Sequence, residues 1–145
     1  MGVYTRFKKS QDGLRQLVEL LESTPQSRRQ KMIDVGMQED PNYTNLALSC
    51  MLNFDDILKL PDMELAEVIS EAPGRFTGYA IHSQSEQTKN RFISKAQPRV
   101  AAEIKEVLEM TNVTPGQVVS GQAKLIETTR KLEKRGLVKT KHIPS

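Results

Sequence analysis

The chain has 145 residues, a formal net charge of +3, 37% hydrophobic and 27% charged side chains. That is enough for one domain or two small helical units without metal or disulfide support. The lone Cys50 excludes an intrachain disulfide and fits a reducing compartment. No apolar run reaches the length of a membrane span, and the stretch from Met1 to Lys9 lacks a signal peptide's apolar core, so a soluble intracellular chain is expected.

Charge is segregated along the chain. Residues 37–74 carry eight acidic side chains against one basic, and residues 115–145 carry seven basic against two acidic. Such asymmetry predicts either oriented contact with a protein partner or an anionic surface, or simply solvated helix faces.

Residues 1–11 are basic and polar, and read as a tail or short connecting helix. From Gly13, residues Leu14, Leu17, Val18 and Leu21 recur at helical spacing. Thr24-Pro25 reads as a cap and first-turn proline opening a second helix to about Val35, with Gly36 placed to end it in a left-handed conformation. Asp40-Pro41 repeats the signal for a third helix that turns Tyr43, Leu46, Ala47 and Cys50 toward a core. Three such helices can bury one another's stripes.

The stretch Met51-Leu52-Asn53-Phe54-Asp55-Asp56 closes this unit and opens the next. Asn53 suits an N-cap, Asp55 and Asp56 favour the positive end of a helix, and Met51 and Phe54 are spaced to pack as one apolar joint. A short helix with Ile57, Leu58 and Leu60 follows. Pro61 begins another, with Leu65, Val68, Ile69 and Ala72 inward, stopped at Pro73-Gly74. Phe76, Tyr79 and Ala80 suggest a short helix to about His82. Ser83 to Glu86 has capping-box spacing before Phe92, Ile93 and Ala96. Gln97-Pro98 opens a helix with Ala101, Ile104 and Leu108 on one side. Thr114-Pro115-Gly116-Gln117 opens the last, which carries Val118, Leu125, Ile126, Thr129 and Leu132 and ends near Gly136. Prolines 25, 41, 61, 98 and 115 each precede an apolar helical stripe, and no segment alternates with period two at length. The expectation is an all-α chain of short helices.

Catalytic chemistry finds little to use. His82 and His142 lie sixty residues apart, and Cys50 sits on an apolar face. Asp55, Asp56 and Asp62 are accounted for as helix-start acids, and no glycine-rich phosphate loop is present. No enzyme, cofactor or metal centre is expected. Arg28, Arg29 and Lys31, with Arg130, Lys131, Lys134 and Arg135, could meet phosphates, yet the acidic middle and scarce aromatics argue against a nucleic-acid partner.

Residues from about 12 to 138 resemble the C-terminal half of the flagellar motor switch protein FliG family. Gly13 to Leu21 resembles the opening of its armadillo-like three-helix unit, and Asp40-Pro41 lies where that unit's last helix begins. Met51-Leu52-Asn53-Phe54 falls on the family's Met-Phe-any-Phe hinge, with Leu52 in place of the first Phe. Arg99-Val100-Ala101-Ala102 resembles its Arg-Ala-Ala element. Val113 to Leu132 resembles its last long helix, including Gln117, Val118, Gln122 and the Arg130 region.

The resemblance implies an armadillo-like unit over 12–50, a hinge at 51–56, a C-terminal bundle of about six short helices over 57–138, and a basic tail at 139–145. It implies contact with FliG-type rotor subunits through Leu46 and Met51, homo-oligomerisation by stacking, and a charged ridge facing the stator's cytoplasmic domain. The ridge positions fall on His82, Arg99, Glu106, Val107 and Thr114, of which Val107 and Thr114 have lost charge. A place at the cytoplasmic face of the basal body, peripheral to the inner membrane, would follow. The family's N-terminal ring-anchoring and middle domains have no counterpart in these residues. Two expectations therefore stand: a rotor component, or a stand-alone adaptor that kept the fold and lost the torque role.

Overall fold

The computed structural model describes residues 3–141 together with 143 and 144. Residues 1 and 2 of the expected N-terminal segment, and residues 142 and 145 of the expected basic tail, lie outside the described residues. The described residues are all-α, with ten helices and no strand. They divide into two units: residues 1–52 with 141–145, and residues 53–140.

The first unit contains α1 (Val3–Lys9), α2 (Gly13–Ser23), α3 (Gln26–Glu39) and α4 (Pro41–Cys50). Leu17, Val18 and Leu21 of α2 are fully buried with Ala47 and Cys50 of α4, as the helical spacing predicts. Each such side chain withdrawn from water contributes roughly 1.5–3 kcal/mol before entropy is subtracted. The N-terminal segment is more than a tail. Tyr4 of α1 is buried in this core and its hydroxyl donates to the Met32 carbonyl. Lys8 pairs with Asp40 at 3.0 Å.

Gly36 does not end α3. It sits inside that helix, where a Cβ would come 2.5 Å from both the Thr44 Oγ1 and the Tyr4 ring. The glycine is there for close approach. Asp40 does stop the run and caps α4, accepting from the Tyr43 N–H at 3.1 Å. Leu46, expected to face inward, is 40% exposed.

The second unit contains α5 (Phe54–Leu58), α6 (Asp62–Glu71), α7 (Gly74–Ile81), α8 (Glu86–Lys95), α9 (Pro98–Leu108) and α10 (Pro115–Lys134). Its core holds Phe54, Ile57, Leu65, Val68, Ile69, Ile81, Phe92, Ile104, Leu125 and Leu132. Helix α10 is the axis, lying most closely against α7. The crossing is tight because Gly121 carries no side chain: a Cβ there would meet the Phe76 carbonyl at 2.5 Å and the Ala80 nitrogen at 2.6 Å. Gln122 then donates to the Ala80 carbonyl at 3.2 Å. Gly136, at φ 76°, ends α10 with bonds from Gly136 N–H to the Glu133 carbonyl and from Leu137 N–H to that of Leu132, the paired geometry of a left-handed stop. The capping box expected at Ser83 does not form; Ser85, two residues later, is the N-cap of α8, its hydroxyl accepting from the Thr88 N–H.

Several acids of the 37–74 stretch are paired within this unit. Asp62 meets Arg91 at 3.0 Å and Lys95 at 3.3 Å, and Glu71 meets Arg135 at 3.6 Å. The Arg91 bonds, then those of Lys95, hold the Asp62 carboxyl below the usual carboxylate range. Lys8, then the Tyr43 N–H, do the same for Asp40 in the first unit. A carboxyl whose folded pKa is depressed stabilises fully above its unfolded value of about 4, and that contribution fades as pH falls through the lower folded value. Denaturant unfolding followed by circular dichroism should therefore lose midpoint below about pH 4. Asp62→Asn should flatten that acid slope; a variant slope identical to the parent's would contradict the assignment.

Candidate protein-contact site

Helix α9 is built so that one side is core and the other is charged. Pro98 occupies its first turn, where a missing N–H costs nothing. Ile104 and Val107 are buried, and Val100 and Leu108 pack beside them. Residues four and seven apart fall on one helical face, so the opposite side presents Arg99, Glu103 and Glu106, all exposed. Arg99 and Glu106 form no hydrogen bond or ion pair among the described residues, which leaves both charges open to a partner.

The other three expected ridge positions are occupied differently. Val107 is 5% exposed, and its Cβ lies where a Cβ on Gly78 of α7 would be 2.6 Å away. It belongs to the core, and cannot stand on a surface ridge. Its spacing with Ile104 and Leu108 is the apolar stripe itself. His82 follows α7, half-buried, with Nε2 2.8 Å from the Met110 carbonyl. A carbonyl only accepts, so Nε2 carries the hydrogen and the ring holds the chain leaving α9. Thr114 is exposed but caps α10: its Oγ1 accepts from the Gln117 N–H at 3.1 Å and its N–H donates to Gln117 Oε1 at 2.8 Å. A cap of this kind is worth about 1 kcal/mol. Glu103 is the residue that sequence reasoning missed. Its Oε2 lies over Gly74, the first residue of α7, where negative charge is favoured by the helix dipole.

The connector at 51–54 is held on both sides of the division. Met51 packs against the first core, while Phe54 is buried in the second, its ring centroid 6.5 Å from that of Phe92. They do not share one joint. Leu52 is 4% exposed and its N–H donates to Glu22 Oε2 at 2.7 Å. Glu22 is a buried acid on the apolar face of α2, four residues after Val18, a placement that by itself signals a partner. The Met51 carbonyl accepts from Lys141 Nζ at 3.1 Å. Asn53 accepts from the Asp56 N–H at 3.0 Å and its own N–H donates to Asp56 at 2.8 Å, a complete capping box.

Two of the basic residues weighed for phosphate contact, Arg29 and Arg130, are engaged internally. Arg29 donates to the carbonyls of Leu21, Glu22 and Thr24 and closes the end of α2. Arg130 is 3% exposed and pairs with Glu133 at 3.2 Å. Among the described residues, no three His, Cys, Asp or Glu side chains are grouped to hold a metal ion, and no helix is long and apolar enough to cross a membrane.

The described residues thus form two small all-α units whose helix faces carry exposed charged and apolar side chains. The chain belongs to the family described as the FliG C-terminal domain, which matches residues 37–139. The flagellar motor switch protein FliG of Thermotoga maritima is 29% identical over 136 residues, 93% of this chain and 41% of that protein. That of Helicobacter pylori is 22% identical over 137 residues, 94% of this chain and 40% of that protein. The chain thus spans about two-fifths of the length of these relatives. The crystal structure of FliG residues 86–343 from H. pylori superposes with a TM-score of 0.65 at 21% identity, covering 91% of this chain and 63% of that one, and supports the fold alone.

Proposed function

We propose that this chain works as a rotor and switch component of the bacterial flagellar motor, acting through protein contacts without catalysis. The observation that carries the reading is the match over residues 37–139, which takes in the connector and the whole charged face of α9. In this reading the first unit stacks on neighbouring FliG-type subunits through exposed Leu46 and half-buried Met51. Residues 51–54 are the swivel. Arg99 and Glu106 are the surviving contacts toward the stator's cytoplasmic domain, at the cytoplasmic face of the basal body.

Exposed charges at an interface mainly steer and orient association, so reversing them should weaken coupling without unfolding the domain. In cells carrying Arg99→Glu with Glu106→Lys, tethered-cell rotation is expected to slow or stop while the purified variant keeps its helical content. Unchanged rotation would retire the α9 assignment. The burial of Val107 and the internal roles of His82 and Thr114 favour a second reading, an adaptor that kept the fold and gave up torque. Co-purification of rotor subunits with the tagged chain would count against that adaptor.

A further inference from the structure

Helix α9 ends on negative charge. Glu106 stands in its last turn and Glu109 is its C-cap residue, both exposed. The C-terminal end of a helix is its negative pole, so carboxylates there weaken the helix and cations support it. Among the described residues, neither carboxylate has a hydrogen-bonding or ionic partner, and Lys105, one turn before Glu109, does not pair with it. Glu103 is placed differently. Its carboxylate lies over Gly74 at the start of α7, the positive pole of that helix, where the charge is stabilising. Glu106 and Glu109 therefore serve no evident purpose in the stability of the domain.

Glu109 is also held in place. Its N–H donates to the Lys105 carbonyl and the Met110 N–H to the Val107 carbonyl, at 3.1 and 3.0 Å. The Met110 carbonyl in turn accepts from His82 Nε2 at 2.8 Å, which pins the end of α9 to the residue that closes α7. Each residue advances about 100° around a helix, so Val107 turns into the core while Glu109 returns to the side of Arg99 and Glu106. Residues three apart are neighbours on a helix surface, with Cβ atoms roughly 5–6 Å from each other. The charge absent at Val107 is thus present two residues later, on the outer side.

We infer that Glu109 is a specificity-determining residue of the α9 contact: with Glu106 it receives a Lys or Arg side chain of the protein partner, while Arg99 receives a carboxylate. This rests on α9 being the contact face. A partner cation at the end of α9 meets two carboxylates and the negative helix pole together, and relieves the repulsion they carry when unbound. Arg99 lies about 10–15 Å away along the axis, seven residues before Glu106 and ten before Glu109. That separation fixes how the partner's acid and base must be spaced, and a partner with the two reversed meets like charges at both ends.

The test compares Glu109→Lys, Glu109→Asp and the Arg99→Glu with Glu106→Lys pair by tethered-cell rotation, and measures the denaturant midpoint of the purified full chains. Glu109→Lys should slow rotation at least about two-fold, because reversed charges at an interface impair encounter and orientation. Glu109→Asp, which keeps the charge, should retain rotation. The midpoint of Glu109→Lys should equal or exceed the parent's, since a cation suits the helix end. A merely structural residue would not lose coupling while stability holds or rises. Unchanged rotation in Glu109→Lys, with the Arg99 and Glu106 pair defective, overturns the role of Glu109 and leaves the α9 contact standing. Unchanged rotation in both retires the contact and Glu109 together. Slowed rotation with a lowered midpoint also overturns the inference, because loss of fold then accounts for the defect.

Discussion

Phe92→Ala is expected to destabilise the second unit by about 3–5 kcal/mol, the range for a fully buried aromatic whose removal leaves a cavity. Phe92 is 0% exposed and sits among the apolar residues of α5, α6 and α8 to α10, with a tilted ring contact to Phe54. Because the chain has two units, one global transition need not describe it. Amide hydrogen exchange resolved by residue is therefore the suitable measurement. Protection should collapse in α5 to α10 and persist in α2 and α4. A loss of under about 1 kcal/mol, or one spread evenly over both units, would contradict the assigned core.

Arg130→Met is expected to cost about 3 kcal/mol, although it replaces a charge by an apolar side chain of similar length. Arg130 is almost wholly buried, and its guanidinium meets both Glu133 oxygens at 3.2 Å and the Thr140 hydroxyl at 3.4 Å. Removing the cation strands the Glu133 carboxylate in a poorly hydrated place. The lower end of the range applies because Glu133 keeps some contact with water. The pair itself is worth far less than this loss, since two desolvated charges roughly repay their own burial. Arg130→Met with Glu133→Leu should therefore recover most of the stability, and a double-mutant cycle by denaturant unfolding measures it. A double variant as unstable as the single would show that Arg130 acts through packing alone.

Helix starts are legible in this sequence because cap chemistry is local. Asp40, Asn53 and Thr114 each accept from a backbone N–H three residues on, as their residue types and spacing predict. What stays hidden depends on neighbours distant in sequence. Gly36 carries the local signature of a helix stop, but the Tyr4 ring and Thr44 require its bare backbone inside α3. Helix α1 reads as a basic tail or short connecting helix because only Val3, Tyr4 and Phe7 are apolar, and its docking rests on contacts to α3 and to Asp40.

The candidate site was partly legible for the same reason. Helical spacing places Arg99 and Glu106 on one face, and the structure leaves both exposed. Val107 was assigned to the ridge by likeness to the family, although its spacing with Ile104 already marked it as core. Where alignment and periodicity disagree on one residue, periodicity reports the physics of this chain. Glu22 and Glu103 escaped notice because a single acid near an apolar stripe has no local partner in sequence. Their partners, the Leu52 N–H and the start of α7, come from elsewhere in the fold.

The proposed role of this family member is to serve the flagellar rotor through protein contacts. In-frame deletion of its coding sequence in the source cell, scored by tethered-cell rotation and reversal frequency, tests it most directly. Rotation or switching should be lost and restored by the plasmid-borne chain. Rotation and switching both intact after deletion would contradict the rotor role and leave the adaptor reading standing.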